Sequence, residues 1–182
     1  MKTRKLTLSA VMIAMSAVLS MVKVYDLPLG GSITLLSMLP VCVIAICYGT
    51  GWGIFCSILY ACLQIALDLG KLMGYGLTPA IWVGSLLFDY IIAFGALGFA
   101  GLFRRKGAFG MCAGITISLL IRFMSHFISG AILFSAFAPK GWNVYIYSLC
   151  YNGSYMLPEL VFTLVGAVLV FRMPQIKKLM LK

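Results

Sequence analysis

The chain has 182 residues, of which 63% are hydrophobic and 10% charged, with a mean hydropathy of +1.08. No water-soluble domain of this size carries such a composition, so the chain is an integral membrane protein. At about 20 residues per crossing the length allows about six helices joined by short loops. It leaves no room for a soluble ATPase, receptor or nucleic-acid module, and the net charge of +10 is therefore not read as a nucleic-acid footprint.

Six apolar stretches, bounded by Gly, Pro or charge clusters, predict helices over residues 6–24, 34–48, 52–69, 79–103, 109–137 and 155–171. Helices are the expected form because open backbone in lipid leaves N–H and C=O groups unpaired. The second stretch is short and contains Pro40, which predicts a kink. Gly49, Thr50 and Gly51 read as a tight turn, Thr78 and Pro79 as the start of the fourth helix, and Pro174 as a stop after the sixth. The fold expected is an all-α bundle of six transmembrane helices forming one domain over residues 1–182.

Basic residues are unevenly placed. Lys2, Arg4 and Lys5 precede the first helix, Arg104, Arg105 and Lys106 separate the fourth and fifth, and Arg172, Lys177, Lys178 and Lys182 follow the sixth. These ten of the 14 Lys and Arg residues fall on one side of a six-helix bundle, with only Lys23, Lys71 and Lys140 opposite. The positive-inside rule then makes both termini cytoplasmic. The first helix is read as an anchor despite its likeness to a signal sequence. Cys42, Cys47, Cys56, Cys62 and Cys112 lie in apolar spans without CxxC spacing and read as small packing residues.

Ionisable groups inside a membrane are costly enough to suggest function. Asp89 is ten residues into the fourth helix, about 15 Å from its outer end at 1.5 Å per residue. Arg122, His126 and Gly130 share one face of the fifth helix, with Gly130 leaving space for a ligand or a neighbouring helix. Asn152, Tyr155 and Glu159 repeat that spacing where the sixth begins, and Tyr75, Trp82, Tyr90, Phe134, Trp142, Tyr145, Tyr147 and Tyr151 crowd the outer half. Structural readings stand beside the functional one. The aromatics suit an interfacial belt; Arg122 could pair with Asp89 or Glu159; Asp68 could snorkel outward; His126 could be a neutral core residue. Together the groups describe an enclosed site for a small, flat, cationic organic ligand.

Catalytic signatures are missing. There is no GxxxxGK[ST], HExxH or GxSxG segment. Ser125 and Ser129, beside the single histidine, are expected to bond back to their own helix. No metal or cofactor is expected. A stand-alone secondary transporter is the rival class, though no internal repeat of the usual kind is visible, and an intramembrane hydrolase is a third.

Five segments carry a family resemblance: GGSITLLSMLP at 30–40, YACLQ at 60–64, FDYIIAF at 88–94, RFMSHFISG at 122–130 and YNGSYMLPE at 151–159. They resemble the substrate-binding S-components of energy-coupling factor transporters, most closely the thiamine-specific subunit. The resemblance implies a bacterial plasma-membrane subunit that captures thiamine, or a close analogue, from outside. It also implies partners, a membrane coupling subunit with two ATPases, which supply the ATP hydrolysis that this chain lacks. Ala10 and Ala14 match the small-residue spacing that faces the coupling subunit. Carried across, the site comprises Asp89 opposite the cation, Tyr90 and Tyr147 as aromatic or hydroxyl contacts, His126 as a stacking ring, Gly130 as the gap admitting the ligand and Asn152 as a hydrogen-bond partner; Tyr75, Phe134 and Trp142 are added to the expected site from the outer-half aromatics, Trp142 or Trp82 as compensation for the missing Trp faces. Segments 25–33 and 71–78 would form the lid. The chain departs from the family pattern in having Asp89 for Glu, Phe134 for Trp and no Trp in its first outer loop, departures that also suit another vitamin as ligand.

Overall fold

The computed structural model describes residues 2–174 and 176. Lys177, Lys178 and Lys182, counted above in the basic cluster, lie outside the described residues. Six helices form the bundle: α1 Lys2–Met21, α2 Leu39–Tyr48, α3 Thr50–Gly74, α4 Pro79–Gly101, α5 Gly107–Ile132 and α6 Val144–Arg172. Five of these are long and apolar enough to cross a membrane. A two-stranded antiparallel hairpin, β1 Lys23–Asp26 and β2 Ser32–Thr34, follows α1.

The core is organised around α2. Every residue from Leu39 to Cys47 is buried, so the helix is apolar all round, as expected of an element surrounded by protein. Ten residues rise only about 15 Å, and the rest of this crossing is irregular chain from the hairpin. Non-helical backbone at that depth is tolerated where protein or a cavity covers it. This corrects the predicted helix 34–48: it begins at Leu39, and Pro40 occupies its first turn, where a missing N–H costs nothing, so Pro40 starts the helix and does not kink it. Leu36, just before it, holds the left-handed backbone at φ 59°, an uncommon setting for a bulky residue. Helices pack closely on α2 through small residues: a Cβ on Gly101 would stand 2.4 Å from the Ala45 carbonyl oxygen.

Other boundaries also shift. Residues 23 and 24, predicted as the end of the first helix, belong to strand β1. α5 stops at Ile132 and a short 3-10 turn, Ser135–Phe137, follows. α6 starts at Val144, well before residue 155, because the Asn143 side chain accepts the Tyr145 and Ile146 N–H groups and caps it. Pro158 is accommodated inside that helix. α4 contains a π-helical segment, Leu86–Ile92, centred on Asp89; such wide turns recur at functional sites. Thr78 is the N-cap position of α4, but its side chain makes no capping bond.

The helices run so that α1, α3 and α5 end where α2, α4 and α6 begin. The basic end is opposite: Lys5 stands 3.9 Å over the Trp52 ring and Arg104 Nη1 donates to the Cys47 carbonyl, both beside the turn joining α2 to α3. The cysteines at 42, 47 and 56 are buried, whereas Cys62 and Cys150 are exposed on the outer faces of α3 and α6, where they fill no core position.

Candidate functional site

At the end remote from the basic cluster, the helices enclose a cavity of about 380 Å³. That volume lies in the range of small-molecule sites. Its walls come from α3, α4, α5 and α6, and the hairpin supplies Gly30, Gly31, Ser32 and Thr34. Tyr151 ties this roof down: its hydroxyl donates to the Pro28 carbonyl and accepts the Gly31 N–H at 3.2 Å. Gly31 is required there, because a Cβ would stand 2.8 Å from the Tyr155 ring. Lys23 and Lys71 both reach Asp26, at 3.0 and 3.9 Å, exposed pairs that contribute little stability. The segments expected to form a lid are thus this hairpin and, in part, the last turn of α3, which extends to Gly74.

Asp89 is the most heavily engaged polar group. Its Oδ2 accepts from Ser85 Oγ at 2.8 Å and Ser129 Oγ at 2.7 Å, and its Oδ1 lies 3.0 Å from His126 Nδ1. Ser85 and Asp89 are one turn apart on α4, while His126 and Ser129 face them from α5. The serines therefore bond across the interface, contrary to the expectation of back-bonding: Ser125 donates to the Phe88 carbonyl on α4 at 2.5 Å. That carbonyl and the Asp89 carboxylate, both within the π-helical segment, thus both meet α5. Among the described residues, Ser129 donates to Asp89 and not to the imidazole.

Arg122 makes neither expected ion pair among the described residues. Its guanidinium sits 4.0 Å over the Phe94 ring, and Nε and Nη1 have no hydrogen-bond partner. Glu159 is held by the hairpin instead, its Oε1 accepting the Thr34 N–H and hydroxyl, each at 2.6 Å. Asp68, read from sequence as an outward-snorkelling residue, lines the cavity and accepts the Tyr90 hydroxyl at 3.2 Å. The sequence signal for it was present, since Asp68, Lys71 and Tyr75 recur at helical spacing on α3.

The cavity brings together Tyr75, Asp89, Tyr90, His126, Gly130, Phe134, Tyr147 and Asn152. Burial and the nearby Asp68 and Asp26 carboxylates push the Tyr75 phenol above its ordinary pKa. Gly130 is first a close-packing position: a Cβ would lie 2.4 Å from Ser148 Oγ and 3.2 Å from Asn152 Nδ2. Asn152 is engaged within the protein, donating to the Ser148 carbonyl at 2.9 Å and accepting the Tyr155 hydroxyl at 2.7 Å. Trp142 is not brought in. It is 56% exposed and stands in the loop before the Asn143 cap, outside the wall; Trp82 does not line the cavity either. Thr34 and Ser85 were not singled out from sequence, and Tyr151 only as one of the outer-half aromatics; the roles of Thr34 and Tyr151 rest on contacts with distant segments, and that of Ser85 on a bond to Asp89 one turn along its own helix.

Among the described residues, no group of three His, Cys, Asp or Glu side chains is placed to hold a metal. What the arrangement can do is enclose a small organic molecule between tyrosine rings, carboxylates and a buried imidazole. Carboxylates and aromatic faces together favour a delocalised cation.

Comparison with known proteins agrees with this geometry. Residues 6–179 match the model of the thiamine transporter protein family, Thia_YuaJ. The chain is 35% identical over 176 residues to the thiamine transporter ThiT of Bacillus subtilis, covering 89% of this chain and 87% of that protein. It is 32% identical over 127 residues to ThiT of Lacticaseibacillus paracasei, covering 51% and 63% respectively. A solved structure of ThiT from Listeria monocytogenes has the same fold, with a TM-score of 0.77 at 24% identity over 96% of this chain and 97% of that one. With nearly its whole length matched, this six-helix membrane protein belongs to the thiamine transporter protein family.

Proposed function

We propose that this protein is the substrate-capture subunit of an energy-coupled vitamin transporter, taking up thiamine from outside the cell and passing it to partner subunits. The observation that carries this reading is the half-buried Asp89 carboxylate in the cavity wall, braced by Ser85, Ser129 and His126. Thiamine joins a permanently cationic thiazolium to a neutral aminopyrimidine, and both rings are flat. Tyr75, Tyr90, Tyr147 and Phe134 offer faces for such rings, and Asp68 and Asp89 offer the negative charge. His126, Asn152 and Gly130 shape the same wall.

The relatives are transporters, and this chain is a multi-pass membrane protein of the bacterial cell membrane. Both termini are assigned to the cytoplasm from the basic clusters at 4–5 and 104–106, which puts the cavity on the outer side. Within its 182 residues there is no nucleotide-binding motif, so the reading assigns ATP hydrolysis to two partner ATPases acting through a membrane coupling subunit. Ala10 and Ala14 are exposed on one face of α1, the surface assigned to that subunit.

Titration calorimetry of the detergent-purified protein with thiamine tests the ligand assignment. Saturable one-to-one binding supports it, and no heat or intrinsic-fluorescence change up to millimolar thiamine overturns it. Uptake into vesicles that contain this chain alone, driven by an ion gradient, would overturn the partner-dependent mechanism.

A further inference from the structure

Arg122 is the innermost residue that α5 contributes to the cavity, one turn below His126, and it is 7% exposed. Phe94 and Glu159 are likewise the innermost lining residues of α4 and α6, so these three, with Gln64 of α3 and with Ser37 and Met38 just before α2, form the floor. The Phe94 ring covers one face of the guanidinium at 4.0 Å but cannot accept from its edge. Nε and Nη1 have no hydrogen-bond partner, and neither Asp89 nor Glu159 forms an ion pair with Arg122 among the described residues. Glu159 offsets part of the charge, yet its Oε1 is committed to Thr34. Buried donors without acceptors are costly, and in a membrane they mark a group kept for use.

A second unpartnered atom lies one turn nearer the mouth. His126 Nδ1 faces Asp89, and its Nε2 has no partner. With the proton on Nδ1 toward the carboxylate, Nε2 is an acceptor. The inner wall thus holds, at Arg122, a donor group and, one turn above it at His126, an acceptor, both residues lining the cavity while these unpartnered atoms are themselves buried. The carboxylates of Asp68 and Asp89 stand nearer the mouth, on α3 and α4.

We infer that Arg122 determines the orientation and charge selectivity of the bound ligand, donating to the lone pair of an uncharged heteroaromatic ring at the floor and barring a cationic ring from that end. The inference rests on the thiamine reading. It sets the aminopyrimidine innermost, with a ring nitrogen toward Arg122 and the amino group toward His126 Nε2. The thiazolium then lies outward, beside Asp68, Asp89 and the tyrosine rings. Two cations sharing the floor would repel strongly in so dry a site, whereas a neutral ring nitrogen satisfies the guanidinium at no such cost.

The test uses the purified full-length protein as wild type, R122M and R122K. Each is titrated with thiamine, with the neutral half 4-amino-5-hydroxymethyl-2-methylpyrimidine, and with the N-methylated thiazolium half. In R122M, thiamine and the pyrimidine half lose about 10- to 100-fold in affinity, the range for a hydrogen bond to a charged group, while the thiazolium half binds as well or more tightly. R122K keeps the charge but lacks the planar donor edge; it weakens the pyrimidine half and still excludes the thiazolium half from the floor. Thermal melts identify folded variants, and R122K carries the test if R122M does not fold. Wild-type protein that binds thiamine, with folded variants that bind the pyrimidine half unchanged or lose the thiazolium half instead, overturns the assignment of Arg122 alone. Wild-type protein that ignores thiamine overturns the thiamine reading and this inference with it.

Discussion

Glu159 and Thr34 are 125 residues apart in sequence, yet Glu159 Oε1 accepts both the backbone N–H and the hydroxyl of Thr34 at 2.6 Å. Ser37 joins them, its Oγ 2.6 Å from Thr34 Oγ1. This buried cluster pins the end of the hairpin to α6 and so holds the roof over the cavity. Replacing Thr34 by Val leaves the carboxylate with one donor fewer, a loss of about 1–3 kcal/mol for an underpartnered buried group. T34V is expected to melt earlier than wild type and to show faster amide exchange through residues 23–34, read by hydrogen-exchange mass spectrometry. Exchange confined to the helix ends would show that the hairpin is held elsewhere.

Asp89 presents three contacts and one charge, and substitutions separate them. D89N keeps the size of the side chain and the serine contacts while removing the charge, so thiamine affinity should fall by more than about tenfold, a free-energy change of about 1.4 kcal/mol. S129A removes one brace and should weaken binding less. Calorimetric titration of both variants gives the order; equal affinities for D89N and wild type would remove Asp89 from the cation site.

At Gly130 the two longest helices touch. An added Cβ would lie 2.4 Å from Ser148 Oγ, forcing α5 and α6 apart at a cost of about 1–3 kcal/mol, the usual range for overpacking. G130A should therefore lower the melting temperature, and the double variant G130A/S148A should recover part of it. A melt of G130A indistinguishable from wild type would mean that the helices can yield there.

Trp142 and Tyr147 are five residues apart but differently placed: the tryptophan is exposed in the loop and the tyrosine lines the cavity. W142F should leave thiamine affinity within about twofold, since surface substitutions away from a site are usually close to neutral. Y147A should weaken binding by about fivefold or more, losing an aromatic face worth about 1 kcal/mol. The two titrations, run side by side, decide whether Trp142 belongs to the site.

Much of the bundle can be read along the chain because lipid imposes one rule on every crossing. Backbone groups must be satisfied within the segment, so long apolar runs become helices, and the charge asymmetry of the loops orders them by side. The α2 crossing escapes this rule. Its first half is strand and turn covered by protein, which hydropathy alone cannot distinguish from helix. The early start of α6 depends on the Asn143 cap, a local signal masked by the aromatic residues that follow.

For the site, the spacing of Asp89, His126 and Gly130 on amphipathic faces gave their convergence, as a 3.6-residue period does for any helix. The periodicity could not tell which partner each polar group takes. Arg122 bonds to no carboxylate, Glu159 turns to Thr34, and Asp68 faces inward to Tyr90. Those choices depend on how α3, α4, α5 and the hairpin are rotated and spaced, which is set by contacts between segments far apart in sequence. Composition and period therefore determine that this is a membrane bundle with a polar, aromatic outer half. Only the assembled packing, such as that of Gly130 on α6 and of the π-helical segment around Asp89 on α5, decides which of those polar atoms meet, because hydrogen bonds form within about 3 Å and that distance is a property of the assembled fold.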